Sequence, residues 1–298
     1  MIVQPFGFLS AQEEAVPPGL ARAYLSGSQL TDALYICSFN KLVEAYTGSC
    51  ARFRRSSDDT EQDIGFDATG KLDESALSSF GGSDILYLTK WYSQVNATEI
   101  YNDYTASQAT ITTAGGTIRK LDGKVVCLYS ALAGSTGGTL INYTYSDGVY
   151  YTGTSYESYS VFHVLSRPAS IERYSMAMNG GTGGGPAFIF DYNARVEWYN
   201  GNSERHVVDN SDFSTGALSL LSATRGPGAG SLDLFYNGTE VQSNKNITNI
   251  GSDGSLRLFM ANNNDGTNAY CAEFLLYKSN KTSDVASINS NITTYYGL

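Results

Sequence analysis

The stretch Tyr46 to Leu77, YTGSCARFRRSSDDTEQDIGFDATGKLDESAL, holds two strand signals, two turns and a helix start in one run. Cys50 to Arg55 alternates crudely between small or apolar and charged residues. The following Ser56–Asp63 cluster of Ser, Asp, Thr and Glu disfavours a strand and predicts a turn of solvated carboxylates. Ile64 and Phe66 then share one face, and Asp67-Ala-Thr-Gly70 predicts a second turn. Asp73 stands where its carboxylate can accept from the first amides of a short helix over Glu74–Phe80.

Outward from this stretch the β pattern dominates. YSVFHVLS (159–166), ERYSMAM (172–178), PAFIFDY (186–192), VEWYN (196–200), ALSLLSATR (217–225), SLDLFYNGTEV (231–241) and SLRLFMA (255–261) are each of strand length and separated by turn residues. Ile85–Trp91, Val125–Tyr129 and Ala272–Tyr277 give three more strand signals, whereas the turns of the Gly- and Tyr-rich region 134–159 cannot be placed. Two further helices are expected. One is capped by Thr31 or Asp32 and runs to about Tyr46, with Leu34, Cys37, Leu42 and Ala45 near one stripe; the other is capped by Thr282 or Ser283 and ends at Gly297, with Val285, Ile288, Ile292 and Tyr295 at helical spacing. Residues 1–30, with Pro5, Pro17 and Pro18 and no sustained periodicity, are expected to be an extended arm, and 31–298 one domain.

Composition agrees with an all-β sandwich. Gly (31) and Tyr (22) are abundant in the 298 residues and charged residues make up only 16%. A chain this long buries roughly 75% of its unfolded surface, so a large core is available. The net charge of −10 argues against a phosphate-neutralising face, and nucleic acid is not an expected partner. No apolar run approaches the roughly 20 residues that span a bilayer, and the N-terminal MIVQPFGFLSAQEE has no basic segment followed by an apolar one, so neither membrane insertion nor a signal peptide is expected.

Cys37, Cys50, Cys127 and Cys271 are widely spaced, which excludes the close ligand pairs of a zinc site and predicts buried free thiols; Cys37 and Cys50 could pair if their segments fold together. No cofactor is expected. Six Asn-x-Ser/Thr sequons, beginning at Asn96, Asn142, Asn237, Asn246, Asn280 and Asn291, are taken as incidental in a chain rich in Asn and Thr. Arg52, Arg54 and Arg55 beside Asp58, Asp59, Glu61 and Asp63 favour a salt-bridged clamp of the turn, with Asp58, Asp59 and Asp63 as weak metal candidates. His163 has apolar neighbours on both sides and is expected to be a core residue. NGGTGGGP (179–186) lacks the Lys-Ser/Thr of a phosphate loop.

LDLFYNGTEV (232–241), AEFLLY (272–277) and the closing TTYYGL (293–298) resemble the second half of a laminin-G-like or concanavalin A-like domain. Between Ser38 and Gln94, SFNKLVEAYTG, ARFRRSSDDTEQDIGFD, GKLDESALSSF and LTKWYSQ resemble in order and spacing the start of the arabinofuranosidase B catalytic domain, found in fungal glycosidases and in bacteriophage tail and surface proteins. The resemblance implies a concanavalin A-like jelly roll of two antiparallel sheets with a few short peripheral helices. It also implies, for the hydrolases, a nucleophilic Glu after a Phe-Asp-Tyr strand and an acid Asp before the last hairpin.

In FDYNARVE the first position is met by Glu197 after a shift in spacing. The second falls in MANNNDG, where Asn262 stands in for the acid and Asp265 is out of register. An amide gives no proton to a leaving group, so catalysis by Glu197 and Asp265 is not expected. The fungal enzymes' glycine-bearing run after Tyr is replaced by WYSQVNATE. The expected role is a bacteriophage virion surface protein, of head, fibre or tail, made in the host cytoplasm. Residues 1–30 would attach it to capsid or tail proteins as a homo-oligomer, and Trp198, Tyr199, Asn262, Asn264 and Asp265 would meet a host surface glycan. The alternative is a divergent arabinofuranosidase-like glycoside hydrolase.

Overall fold

The computed structural model describes residues 16, 18–130, 140–142, 158–166, 173–177, 186–190, 196–200, 204–209, 216–227, 231–245, 256–260 and 268–298. Twenty strands occur among them in chain order: β1 (Ala33–Ser38), β2 (Ala51–Arg55), β3 (Glu61–Ile64), β4 (Leu86–Tyr92), β5 (Glu99–Tyr101), β6 (Ala109–Thr110), β7 (Lys120–Leu121), β8 (Lys124–Val125), β9 (Cys127–Ser130), β10 (Leu140–Asn142), β11 (Tyr159–Ser166), β12 (Arg173–Ala177), β13 (Pro186–Phe190), β14 (Val196–Asn200), β15 (Glu204–Asp209), β16 (Leu218–Arg225), β17 (Leu232–Tyr236), β18 (Thr239–Lys245), β19 (Leu256–Met260) and β20 (Asn268–Tyr277). Two α-helices accompany them, α1 (Glu74–Gly81) and α2 (Val285–Tyr296). The protein is an all-β sandwich.

Every pairing among the described residues is antiparallel. One layer runs β1-β20-β11-β16-β17-β18, and the other β3-β2-β4-β5-β10-β19-β12-β13-β14-β15. β6 pairs with β4 of the second layer and with β9, which pairs in turn with β20 of the first, so the ladder is continuous from layer to layer.

The two layers enclose a core that includes Tyr35, Phe53, Leu88, Trp91, Ile100, Val161, Leu221, Leu234 and Phe274. Phe39 stacks on Trp91 with ring centroids 4.9 Å apart. The outer face of the first layer is covered as well, by α2. Val285, Ile288, Ile292 and Tyr296 pack on Phe162, Val164, Leu220 and Leu275. This explains why β11 and β16 read as unbroken runs rather than alternating ones: all eight residues of each are buried, half toward each core.

Asp73 caps α1 as its position predicts, its carboxylate accepting from the Ala76 amide at 2.9 Å. Gly297 ends α2 in the left-handed conformation at φ 75°, and its N–H bonds the Thr293 carbonyl at 2.7 Å. The N-cap position of α2 is Asp284, one or two residues later than Thr282 or Ser283. β3 begins at Glu61, so the acidic turn ends before the expected Asp63.

The expected helix from Thr31 to Tyr46 is instead β1 followed by an irregular connection. Asp32 has φ 58°, which bars the helix-capping geometry, and its carbonyl accepts from Lys278 N–H at 2.9 Å to start the ladder with β20. Tyr35 and Cys37 enter the core between the layers while Ile36 enters the one beneath α2, a two-sided burial that a stripe of helical spacing cannot distinguish.

Part of the expected extended arm is docked on the sandwich. Residues 18–30 belong to the fold: Ala21 N–H bonds the Thr69 carbonyl at 2.9 Å, and Leu25, itself buried, bonds the Leu42 carbonyl at 2.7 Å. Ser28 Oγ donates to Asp284 at 2.6 Å, and Lys281 Nζ donates to the Ser28 carbonyl at 2.7 Å. Specific polar pairs hold this segment, so it needs no periodicity. Residues 1–15 lie outside the described residues.

The loop before β7 shows how closely the backbones approach. Gly116 has φ 79°, and a Cβ there would lie 2.0 Å from the Gly82 carbonyl oxygen. Gly116→Ala therefore adds left-handed strain to a backbone clash. It is expected to lower stability by more than about 1 kcal/mol in urea titration; unchanged stability would refute this account of the loop.

Candidate ligand-binding face

The second layer has one face in the core and one outside. Ala51, Phe53, Trp91 and Ile100 are buried, so by strand alternation Arg52, Lys90 and Tyr101 belong to the outer face. Register joins them into one row: Asp63 opposes Arg52, Arg52 opposes Lys90, and Lys90 opposes Tyr101. The row continues through Ile141 and Arg257 to Ala177 and Ala187, and from there to Tyr199 and Arg205. Backbone register therefore links these positions across the whole layer in a single line.

At its described end the row is tightly organised. Arg52 holds Asp63 with two parallel hydrogen bonds, Nε to Oδ1 and Nη2 to Oδ2, each 2.8 Å, and Tyr92 Oη donates to Asp63 Oδ1 at 2.8 Å. Lys90 pairs with Glu99 at 3.1 Å. The Arg52 hydrogen bonds, with help from Tyr92, hold the Asp63 carboxyl below its usual range. Partial burial and the bond to Asp63 push the Tyr92 phenol up. Asp63 is thus fixed as an ionised acceptor and Tyr92 as a donor. This arrangement offers fixed donors and partly exposed aromatic rings, suited to hydroxyl-rich ligands, and keeps Asp63 as an acceptor.

The neighbouring acidic turn is a clamp. Asp58 pairs with Arg55 at 2.6 Å and Asp59 with Arg54, while Arg54 lies 4.5 Å over the Tyr87 ring and also donates to Gln108 at 2.8 Å. The weak metal candidates Asp58, Asp59 and Asp63 each take a guanidinium, and among the described residues no group of three His, Cys, Asp or Glu is arranged to hold a metal ion.

Trp198 requires correction as a sugar-stacking residue. Its indole is 0% exposed and stacks on Tyr159 at 5.9 Å, so it anchors the core. Glu197 and Tyr199 flank Trp198 in β14. Glu197 opposes Ile189, Ile189 opposes Tyr174, and Tyr174 opposes Met260. Glu197 is therefore three strands from the end of β19, about 14 Å at the usual spacing of about 4.8 Å per strand. Two residues beyond Met260 the chain has Asn262. Asn262, Asn264 and Asp265 lie outside the described residues.

A buried charge cluster escaped sequence reasoning. Arg22 makes a two-pronged contact with Glu273, Nη1 to Oε2 at 2.5 Å and Nη2 to Oε1 at 3.0 Å, and its Nε donates to Asn291 at 2.7 Å. Ser38 Oγ and Tyr296 Oη donate to the same Glu273 carboxylate at 2.8 and 3.2 Å. A lone Glu within the apolar run of β20 was its one visible signal.

The chain is similar in fold to several solved arabinofuranosidases. These include an arabinofuranosidase complexed with arabinofuranosyl-α-1,2-xylobiose (TM-score 0.60, 16% identity) and a Glu→Gln variant of a GH54 α-L-arabinofuranosidase soaked with 4-nitrophenyl α-L-arabinofuranoside (TM-score 0.58, 16% identity). A third is a GH54 α-L-arabinofuranosidase soaked with a cyclic sulfate inhibitor (TM-score 0.56, 15% identity). Each alignment covers 89% of this chain and 63% of the other, so the chain spans less than two thirds of the enzymes it matches. No protein-family model and no curated protein matches the sequence. At this identity the likeness establishes the sandwich fold, which many unrelated functions share. No helix among the described residues is long and apolar enough to cross a membrane.

Proposed function

We propose that this chain is a non-catalytic carbohydrate-binding sandwich carried on a bacteriophage particle, with the outer face of its second layer as the sugar site. The observation that carries the reading is the row from Asp63 through Arg52 and Lys90 to Tyr101, with Tyr92 bonded to Asp63, which combines aromatic rings with fixed polar partners. The fold shared with arabinofuranosidases supports a sugar as the ligand, and Asn262 at the acid's place supports binding without hydrolysis.

A glycan array of the whole chain tests it. Tyr101 is half-exposed, so Tyr101→Ala is expected to weaken the best array ligand roughly tenfold, about 1.4 kcal/mol, with melting unchanged. No array ligand, or binding indifferent to both Tyr101→Ala and Arg52→Ala, would count against this face.

The place of Glu197 across from the end of β19 favours one rival, a divergent hydrolase. Release of 4-nitrophenol from an arabinofuranoside, lost in Glu197→Gln, would establish it instead. Labelling of phage particles by an antibody to the chain tests the virion setting. Attachment to capsid or tail proteins falls in this reading to residues ahead of Gly19, and self-association is read by light scattering.

A further inference from the structure

All four cysteines of the chain converge in the core between the layers, although they come from distant parts of the sequence. Cys37 lies on β1, Cys50 just before β2, Cys127 on β9 and Cys271 on β20, and all are buried free thiols. They are not equivalent. Cys37 donates to the Trp91 carbonyl at 3.8 Å and Cys50 to the Ser38 carbonyl at 3.3 Å, and neither is the other's ladder partner. Cys127 and Cys271 are opposed residues of the β9–β20 ladder, and Cys127 Sγ lies 3.5 Å from the Cys271 carbonyl oxygen. Opposed residues of an antiparallel pair have Cα atoms about 4.5–5.5 Å apart, inside the range that a disulfide spans.

We propose that Cys127 and Cys271 are the site of a cross-strand disulfide, formed while the chain folds under oxidising conditions, that staples β9 to β20. The bond would tie together residues separated by 144 positions, at the junction where the ladder passes from one layer to the other. The chemistry is thiol–disulfide exchange with a small-molecule disulfide such as oxidised glutathione. The Cys127 thiolate attacks one sulfur and releases one glutathione thiolate; Cys271 sulfur then displaces the second glutathione. Two protein thiols are oxidised, one glutathione disulfide is reduced, and both protons end on the two glutathiones.

Timing follows from burial. In the folded core burial pushes the Cys271 thiol up, and its neighbour at 3.5 Å, His163 Nε2, sits where burial disfavours protonation. Both Cys127 and Cys271 are buried where glutathione cannot reach them, so the exchange belongs to the open chain.

The test refolds the full chain from urea with reduced and oxidised glutathione, blocks remaining thiols and maps peptides without reduction. One cross-linked pair joining Cys127 to Cys271 is expected, with Cys37 and Cys50 blocked, and a melting temperature that falls by several degrees on reduction. The same link should form in Cys37→Ala/Cys50→Ala. Four blocked thiols after oxidative refolding, or a link that uses Cys37 or Cys50, would overturn the proposal.

Discussion

Arg22→Ala should cost the protein about 3–5 kcal/mol, because it leaves the Glu273 carboxylate buried without its counter-ion. The side chains are 3% and 0% exposed, so water cannot replace the guanidinium. Burial pulls the Arg22 pKa down, and the Glu273 charge and hydrogen bonds more than offset this, leaving it raised. The pair is also the tie between the N-terminal segment and β20, and Arg22 bridges onward to Asn291 of α2. Urea unfolding of Arg22→Ala, Glu273→Leu and the double variant Arg22→Met/Glu273→Leu gives the measurement. Both single variants should fall steeply and the double variant should recover much of the loss, since an apolar pair of similar volume carries no desolvation cost. A single-variant loss below about 1 kcal/mol would mean that solvent reaches the carboxylate. A practical consequence concerns the attachment segment. Removal of residues 1–30 would delete Arg22 and Leu25 and unfold the sandwich, so particle incorporation has to be tested with removal of residues 1–17.

Much of this architecture was legible because strand burial is written in local composition. The runs 159–166 and 217–225 are apolar on both sides because both faces of β11 and β16 are covered, and the short helix after Asp73 shows its cap. What was not legible depends on partners far away in sequence. ALYICS (33–38) takes its strand conformation from β20, more than two hundred residues later, and nothing local distinguishes it from a helix. ERHVVD (204–209) sets two adjacent valines among charged and polar residues, without apolar alternation, and was not expected as β15. The candidate face shows the same division. The arginines and acids around Ser56 announced their own clamp, but the alignment of Asp63, Arg52, Lys90 and Tyr101 is a property of register, and register is set by pairings between strands. Trp198 was ambiguous for the opposite reason: an aromatic residue in a strand suits a core or a sugar equally, and only its stack on Tyr159 decides.

Mild acid should destabilise the protein through His163. The imidazole is fully buried against Phe274, with ring centroids 5.4 Å apart, and Cys271 Sγ is 3.5 Å from its Nε2. Burial lowers its pKa from 6.5 to about 3. The sign follows directly: the unfolded chain binds a proton near pH 6.5 that the folded chain refuses until about pH 3. The stability linked to a neutral His163 is therefore complete above pH 6.5 and is lost as pH falls toward 3, at about 1.4 kcal/mol per pH unit. The lowered carboxyls Asp58, Asp63 and Asp67 lose their own contributions in the same direction, but only below their ordinary value of 3.8. The window from pH 6 to pH 4.5 therefore isolates His163 among these groups, and the loss across it should be about 2 kcal/mol. In urea titrations at fixed pH through that window, His163→Phe, which keeps a flat ring against Phe274, should reduce the slope of stability against pH. Parallel slopes for the two proteins would show that the folded protein takes up this proton as readily as the unfolded chain and would refute the assignment of His163 to a dry core.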